Sequence, residues 1–327
     1  MLRSRPFQVK AKRRKKFHKQ AMTTILLSHL VPLLALIGLG YGAGRWLDVE
    51  PRSLAMVAIY FLSPVVNFGG VAQLDFQPTY LLLPFVLFGI AAGMALLTYR
   101  FARHVYTDNT RNLVAMAAST GNTGYFGTPL VLALLGPHAV GIYFLMNFAV
   151  ALSETTIGYY FGARGHHGVR DSLKKVLSLP ANYAVVLGLA WNSLDLPLAP
   201  AFLTWWERFT GAWIIIGMMV IGVALSKVGG WRTNARLTGL LFSIKFLLWP
   251  ACTYGFALLD REVLGLFDST VHTLLLIIGV VPLAGNTVTF ATQLKLRPGE
   301  AATVVLESTV FAVVYIPFVF WLLRVPQ

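Results

Sequence analysis

A chain of 327 residues that is 56% hydrophobic and only 12% charged, with a mean hydropathy of +0.66, lacks the balance of a soluble globular domain and reads as an integral membrane protein. Its net charge of +14 does not make it a nucleic-acid binder: nine of the 27 Lys and Arg precede Gln20, and most others lie in short segments between apolar runs, where the positive-inside rule places them. A single cysteine, Cys252, excludes an internal disulfide framework and a cysteine metal site, and its apolar setting predicts a small buried residue.

A helix needs about 20 apolar residues to cross the hydrocarbon of a bilayer. After a basic extension, 1–21, such spans can be laid at 24–44, 53–72, 79–99, 112–135, 139–163, 179–194, 209–226, 239–259, 271–294 and 301–323. Alternate loops carry very different charge. Arg45, Arg52, Arg100, Arg103, Arg111, Arg164, Arg170, Lys174, Lys175, Lys227, Arg232, Arg236, Lys295 and Arg297 fall on one side, against Arg208, Arg261 and Arg324 on the other. The bias puts the first group in the cytoplasm and the start of the first span outside. The run from Lys12 to Lys16 resists that placement, which predicts that translation begins at Met22.

Five spans in each half, 22–163 and 179–327, then enter the membrane with opposite polarity, joined by a cytoplasmic linker at 164–178. The halves share a tripeptide inside a span, Gly121-Asn122-Thr123 in the fourth and Gly285-Asn286-Thr287 in the ninth. Gly124 and Pro129 follow the first copy and Pro282 precedes the second, so both spans are predicted to be interrupted. Irregular backbone at membrane depth is tolerated where it faces protein or a watery cavity, which marks the breaks as the place for a solute. A broken end exposes N–H groups, and Asn122 and Asn286 add amide donors suited to a carboxylate. The alternative for each Gly and Asn is ordinary helix packing. Thr123 and Thr287 direct a hydroxyl either to the cavity or back to a carbonyl.

Three ionisable side chains lie well inside spans, Glu154, Lys245 and Glu307, and charge at that depth is functional by default. Counted from the cytoplasmic span ends, all three are at a depth of roughly 9 to 14 Å, which puts Lys245 within reach of either acid and makes them candidates for coupling or gating. The competing reading has Lys245 snorkelling to the headgroups and each Glu capping a helix. His29 and His272 lack a third metal ligand, and the His166-His167 pair reads as solvated. Asn67 and Asn147 either line the cavity or make packing contacts. Trp46, Trp205, Trp206, Trp231 and Trp321 fall near span ends, as an aromatic belt predicts.

With these spans in place, several segments resemble the auxin efflux carrier family of permeases, whose bacterial members include malonate-type carriers. The pieces are the run from Gly121 to Leu130, the run from Val281 to Thr287, Phe61-Leu62-Ser63-Pro64, the run from Lys245 to Pro250, and Glu307-Ser308-Thr309. The family is similar in architecture to bile-acid sodium symporters. The resemblance therefore implies an all-α membrane fold of ten transmembrane helices in two inverted five-helix repeats, with helices four and nine interrupted and crossing at the bilayer centre. It implies a secondary transporter of small organic anions, chiefly carboxylates, in the bacterial inner membrane. The short linker makes this the compact form. No phosphate loop of the type GxxxxGK[ST] occurs, so ATP is not the direct energy source, and no cofactor or metal is implied. Proton or sodium coupling and a homodimer stay open. The competing functions are a membrane solute sensor without transport and a lipid-modifying enzyme, though no acid-rich or His-rich cluster for the latter is present.

Overall fold

The computed structural model describes residues 5–163, 179–227 and 234–323. Every regular element among them is helical, and seven helices are long and apolar enough to cross a membrane. In chain order these are α1 (Leu26–Trp46), α2 (Pro51–Ala72), α3 (Pro78–Val105), α6 (Pro137–Gly162), α8 (Pro200–Lys227), α9 (Ala235–Leu264) and α12 (Pro298–Leu323). The shorter pieces are α4 (Thr110–Ala118), α5 (Thr128–Leu134), α7 (Pro180–Ser193), α10 (Ser269–Val280) and α11 (Asn286–Gln293). Each span expected from the sequence is occupied by helix. The expected linker lies outside the described residues, as do His166, His167 and Trp231.

Prolines set half of these helix starts. Pro51, Pro78, Pro137, Pro180, Pro200 and Pro298 each stand at the first residue of a helix, where the missing N–H costs nothing and the fixed φ is already helical. Asn234 and Asp268 cap α9 and α10 by accepting from the backbone N–H of Leu237 and Val271.

Two helix pairs join the halves. α1 packs along α8, and α2 packs along α7. The first pair is close because small residues face each other. A side chain on Gly222 would overlap the carbonyl of Ile37, and one on Gly40 would overlap the backbone of Met219, so only glycine allows the two backbones this approach. Lys227 at the end of α8 bonds Asp48 just beyond α1. α3 packs on α4 and α6, and α9 packs on α10. α6 is the most enclosed of the long helices, with 72% of its apolar window buried, which places it at the centre of the bundle.

The outer surface is apolar: Phe61, Phe85, Leu97, Leu247 and Val314 are all exposed. An exposed apolar surface on this scale fits contact with lipid tails and would not suit water. Cys252 belongs to this outer surface, which corrects the expectation of burial: it points away from the bundle. Trp206 corrects another, because its indole is buried and its Nε1–H donates to the Val66 carbonyl at 2.9 Å, making it a tie between α8 and α2. Trp46, Trp205 and Trp321 are exposed, as a belt requires.

Candidate solute-binding site

The fourth span breaks where its glycines and proline predict. α4 stops at Ala118, the chain leaves the helix through Thr120, Gly121 and Asn122, and a π-helical turn, Thr123–Gly127, leads into α5 with Pro129 in its first turn. The ninth span breaks likewise. α10 stops at Val280, Pro282 lies in the irregular stretch, and α11 starts at Asn286.

The breaks meet. The Asn122 backbone N–H donates to the Pro282 carbonyl at 2.8 Å, and the hydroxyls of Thr120 and Thr287 lie 3.1 Å apart. Loose ends left by the breaks are taken up by neighbouring helices, as buried backbone groups must be. The Trp249 indole of α9 donates to the Ala118 carbonyl at 2.7 Å, and the Ser308 hydroxyl of α12 accepts from the Leu283 N–H at 3.2 Å. From α6, the Tyr143 hydroxyl donates to the Thr123 carbonyl at 2.7 Å, while Asn147 accepts from the Thr123 hydroxyl at 2.5 Å. Thr287 thus meets a side chain across the crossing, while the Thr123 hydroxyl is shared between Asn147 and the Gly121 carbonyl. α8 runs past both breaks: Trp213 packs against Gly124 and meets the Tyr125 ring at a tilt of 57°, centroids 4.8 Å apart, and Ile221 packs against Gly285.

Several polar groups remain unmatched around the breaks, Trp213 Nε1 and the Thr128 hydroxyl among them. The Asn122 side-chain nitrogen and the Lys245 ammonium are each buried without a hydrogen-bonding partner, in residues only 3% and 1% exposed. Lys245 lies in a π-helical turn of α9, Ile244–Leu248, and its Nζ sits 2.8 Å from where a Cβ on Gly121 would be. Any side chain at that position would displace the ammonium. Below it, the Trp249 ring lies 4.4 Å from Nζ, one helical turn along the same face. A buried ammonium carries an effective penalty of several kcal/mol, while a desolvated cation–π contact returns about 2 kcal/mol. The remainder is uncompensated.

This placement corrects the expected pairing of Lys245 with an acid: among the described residues it is bonded to neither Glu154 nor Glu307. Glu307 instead accepts from the Thr238 hydroxyl at 2.9 Å. Glu154 is buried at the start of another π-helical turn, Glu154–Gly158. Asn67 turns back onto its own helix, donating to the Ser63 carbonyl at 2.7 Å, and so does not reach the crossing. His272 bonds Asp260 at 2.8 Å, and no cluster of three or more metal-ligating side chains occurs among the described residues. Asn286 is half-buried at the start of α11.

Residues 25–165 match the family model described as membrane transport protein. The resemblance to auxin efflux carriers read from the sequence is borne out. Over 277 residues the chain is 25% identical to an uncharacterized transporter of Methanocaldococcus jannaschii, covering 83% of this chain and 86% of the relative. Both matches are to transporters and neither is to an enzyme. The parts of the crossing that the sequence did not single out as site residues are Trp249, Tyr143, Trp213 and Thr120. Trp249 left a signal: an indole in mid-span, away from the headgroups, needs a partner for its N–H.

At one end of the bundle the beginning of α4 is tied to the beginning of α12. Asp108 caps α4 through the Thr110 N–H at 3.1 Å and accepts from Arg297 at 2.6 Å, while Arg297 also donates to Glu300, which holds Asn234. Arg297 and Lys295 both have left-handed φ, 48° and 55°, a conformation that side chains other than glycine adopt at a cost. Hydrogen bonds from Thr110, and then the Arg297 guanidinium, hold the Asp108 carboxyl below the usual carboxylate range against the opposing effect of burial. A lowered folded pKa gives stability above the unfolded value, lost as pH falls through the folded one. Both side chains are nearly half exposed, so the pair contributes about 1 kcal/mol or less. Asp108→Asn is expected to lower the melting temperature slightly at pH 7 and by less at about pH 3, as pH approaches the lowered pKa of the parent carboxyl. An equal loss at both pH values would assign the effect to packing.

Proposed function

We propose that this protein is a secondary transporter that moves small organic anions, chiefly carboxylates, across a bacterial inner membrane by alternating access at the crossed breaks. The observation that carries this reading is the meeting of two interrupted helices around a buried amide, Asn122, whose nitrogen has no partner. An unmatched donor at that place calls for an acceptor, and a carboxylate supplies up to four lone pairs. The solute-contacting set under this reading is Gly121, Asn122, Thr123, Gly124, Pro129, Pro282, Gly285, Asn286 and Thr287.

The ten-span arrangement as two inverted repeats belongs to the same proposal. If the halves are equivalent, α1 corresponds to α7 and α2 to α8, and the pairing of α1 with α8 then corresponds to that of α7 with α2. Both pairs are present and extensive. The packing of α3 on α4 is likewise matched by that of α9 on α10. The meeting of Asp108, Arg297 and Asn234 at one end brings together loops that the charge count assigns to the cytoplasm.

Since the crossing is buried, solute entry requires helices to separate at one end. Glu154 and Glu307 remain candidates for coupling or gating. The test is uptake of labelled carboxylates by proteoliposomes with matched empty-liposome controls. Carrier-dependent uptake or exchange of at least one carboxylate is expected. Saturable binding without flux across the set would instead indicate a solute sensor, and neither binding nor flux would overturn the reading.

A further inference from the structure

The unmatched Lys245 ammonium is a stronger sign of the ligand than the amide beside it. The only chemistry of this side chain is to donate hydrogen bonds and carry positive charge. Burial removes water as a partner, and no protein group takes its place: Nζ lies against Gly121 and over the Trp249 ring face and has no hydrogen-bonding partner. Snorkelling is excluded by the position of Nζ against the break in the fourth span, with Lys245 1% exposed. The π-helical turn that carries Lys245 is itself held in place, since the Tyr315 hydroxyl of α12 donates to the Phe246 carbonyl. Such turns often stand at functional sites. A scaffold that fixes a cation against Gly121, the residue before another unmatched donor, Asn122, is built to meet an anion.

We infer that Lys245 is a direct ligand of the transported solute, forming an ion pair with a carboxylate that also accepts from the Asn122 side chain. The inference rests on the carrier reading above and narrows it: recognition is charged, and the site prefers a carboxylate over the neutral amide of the same shape. Gly121 serves this role by leaving space for the ammonium. Trp249 serves it by facing the cation with its ring and by fixing the end of α4 with its N–H.

The experiment measures binding to the full-length protein in lipid nanodiscs by titration calorimetry. The probes are malonate against malonamide and benzoate against benzamide. The parent is expected to bind at least one acid about tenfold or more tighter than its amide, the scale of a charge-assisted contact. Lys245→Gln is expected to remove that preference, weakening the acid about 10- to 100-fold while leaving the amide within about threefold. Lys245→Arg keeps the charge and should retain part of the preference. If Lys245→Gln fails to fold, Gly121→Ala decides: the ammonium is kept and its place is filled, so the preference for the acid over its amide should fall about tenfold. An unchanged acid preference in Lys245→Gln, or in Gly121→Ala where that variant decides, overturns the inference and leaves the carrier reading intact. A parent that prefers no acid over its amide overturns the organic-anion reading itself.

Discussion

Asn122→Ala is expected to reduce transport by roughly 10- to 150-fold while leaving the protein folded and inserted, the equivalent of about 1.5 to 3 kcal/mol for one hydrogen bond to a charged group. Folding should survive because the bonds that hold Asn122 are made by its backbone. Its N–H donates to Pro282 and its carbonyl accepts from Gly127 at 3.0 Å, and alanine keeps both. The side-chain nitrogen has no hydrogen-bonding partner in the resting structure, so alanine breaks no bond that it makes. Its loss therefore separates function from stability. Asn286→Ala is expected to act in the same direction with a smaller effect, because Asn286 is only half-buried and begins a helix. Initial uptake rates in proteoliposomes, with melting temperatures measured alongside, check both. Rates within twofold of the parent for Asn122→Ala would place the solute somewhere other than the crossing.

The largest loss of stability is expected at Trp249. Truncating a fully buried Trp to Ala costs about 3 to 5 kcal/mol through lost burial and the cavity left behind. Here two further effects add. The Ala118 carbonyl at the end of α4 loses its donor, and Lys245 loses the ring that faces it. Trp249→Phe isolates the first, keeping most of the volume and an aromatic face while leaving a buried acceptor unsatisfied, for about 1 to 3 kcal/mol. Thermal unfolding in nanodiscs should rank the parent above Trp249→Phe and that variant above Trp249→Ala. If the phenylalanine variant melts with the parent, the hydrogen bond to Ala118 is not what holds the broken end.

Membrane insertion and span positions were legible because run length is a one-dimensional property, and the breaks were legible because Gly, Asn and Pro inside apolar runs have few other uses. The partners of Lys245 were not. Depth along a helix can be counted from its ends, and by that count Lys245, Glu154 and Glu307 belong together. Which face of α9 turns inward depends on how the whole bundle packs, and that face meets Gly121 and not an acid. The π-helical turn at Ile244–Leu248 shifts the register of α9 by a local widening that periodicity does not reveal. Trp206 and Cys252 were misplaced for a related reason. In a membrane bundle the apolar residue type is shared by core and lipid-facing surface, so composition does not separate inside from outside.

The bond between the Asn122 N–H and the Pro282 carbonyl joins the halves through main-chain atoms, which every residue but proline supplies. Sequence change can redesign the donors around the crossing while leaving this strut untouched, so ligand preference and architecture are free to drift independently. A scan of alanine variants would pass over the strut without registering it. Proline at position 122, which removes the N–H, is the substitution that would expose its contribution, and it would do so whatever solute the surrounding side chains had come to accept.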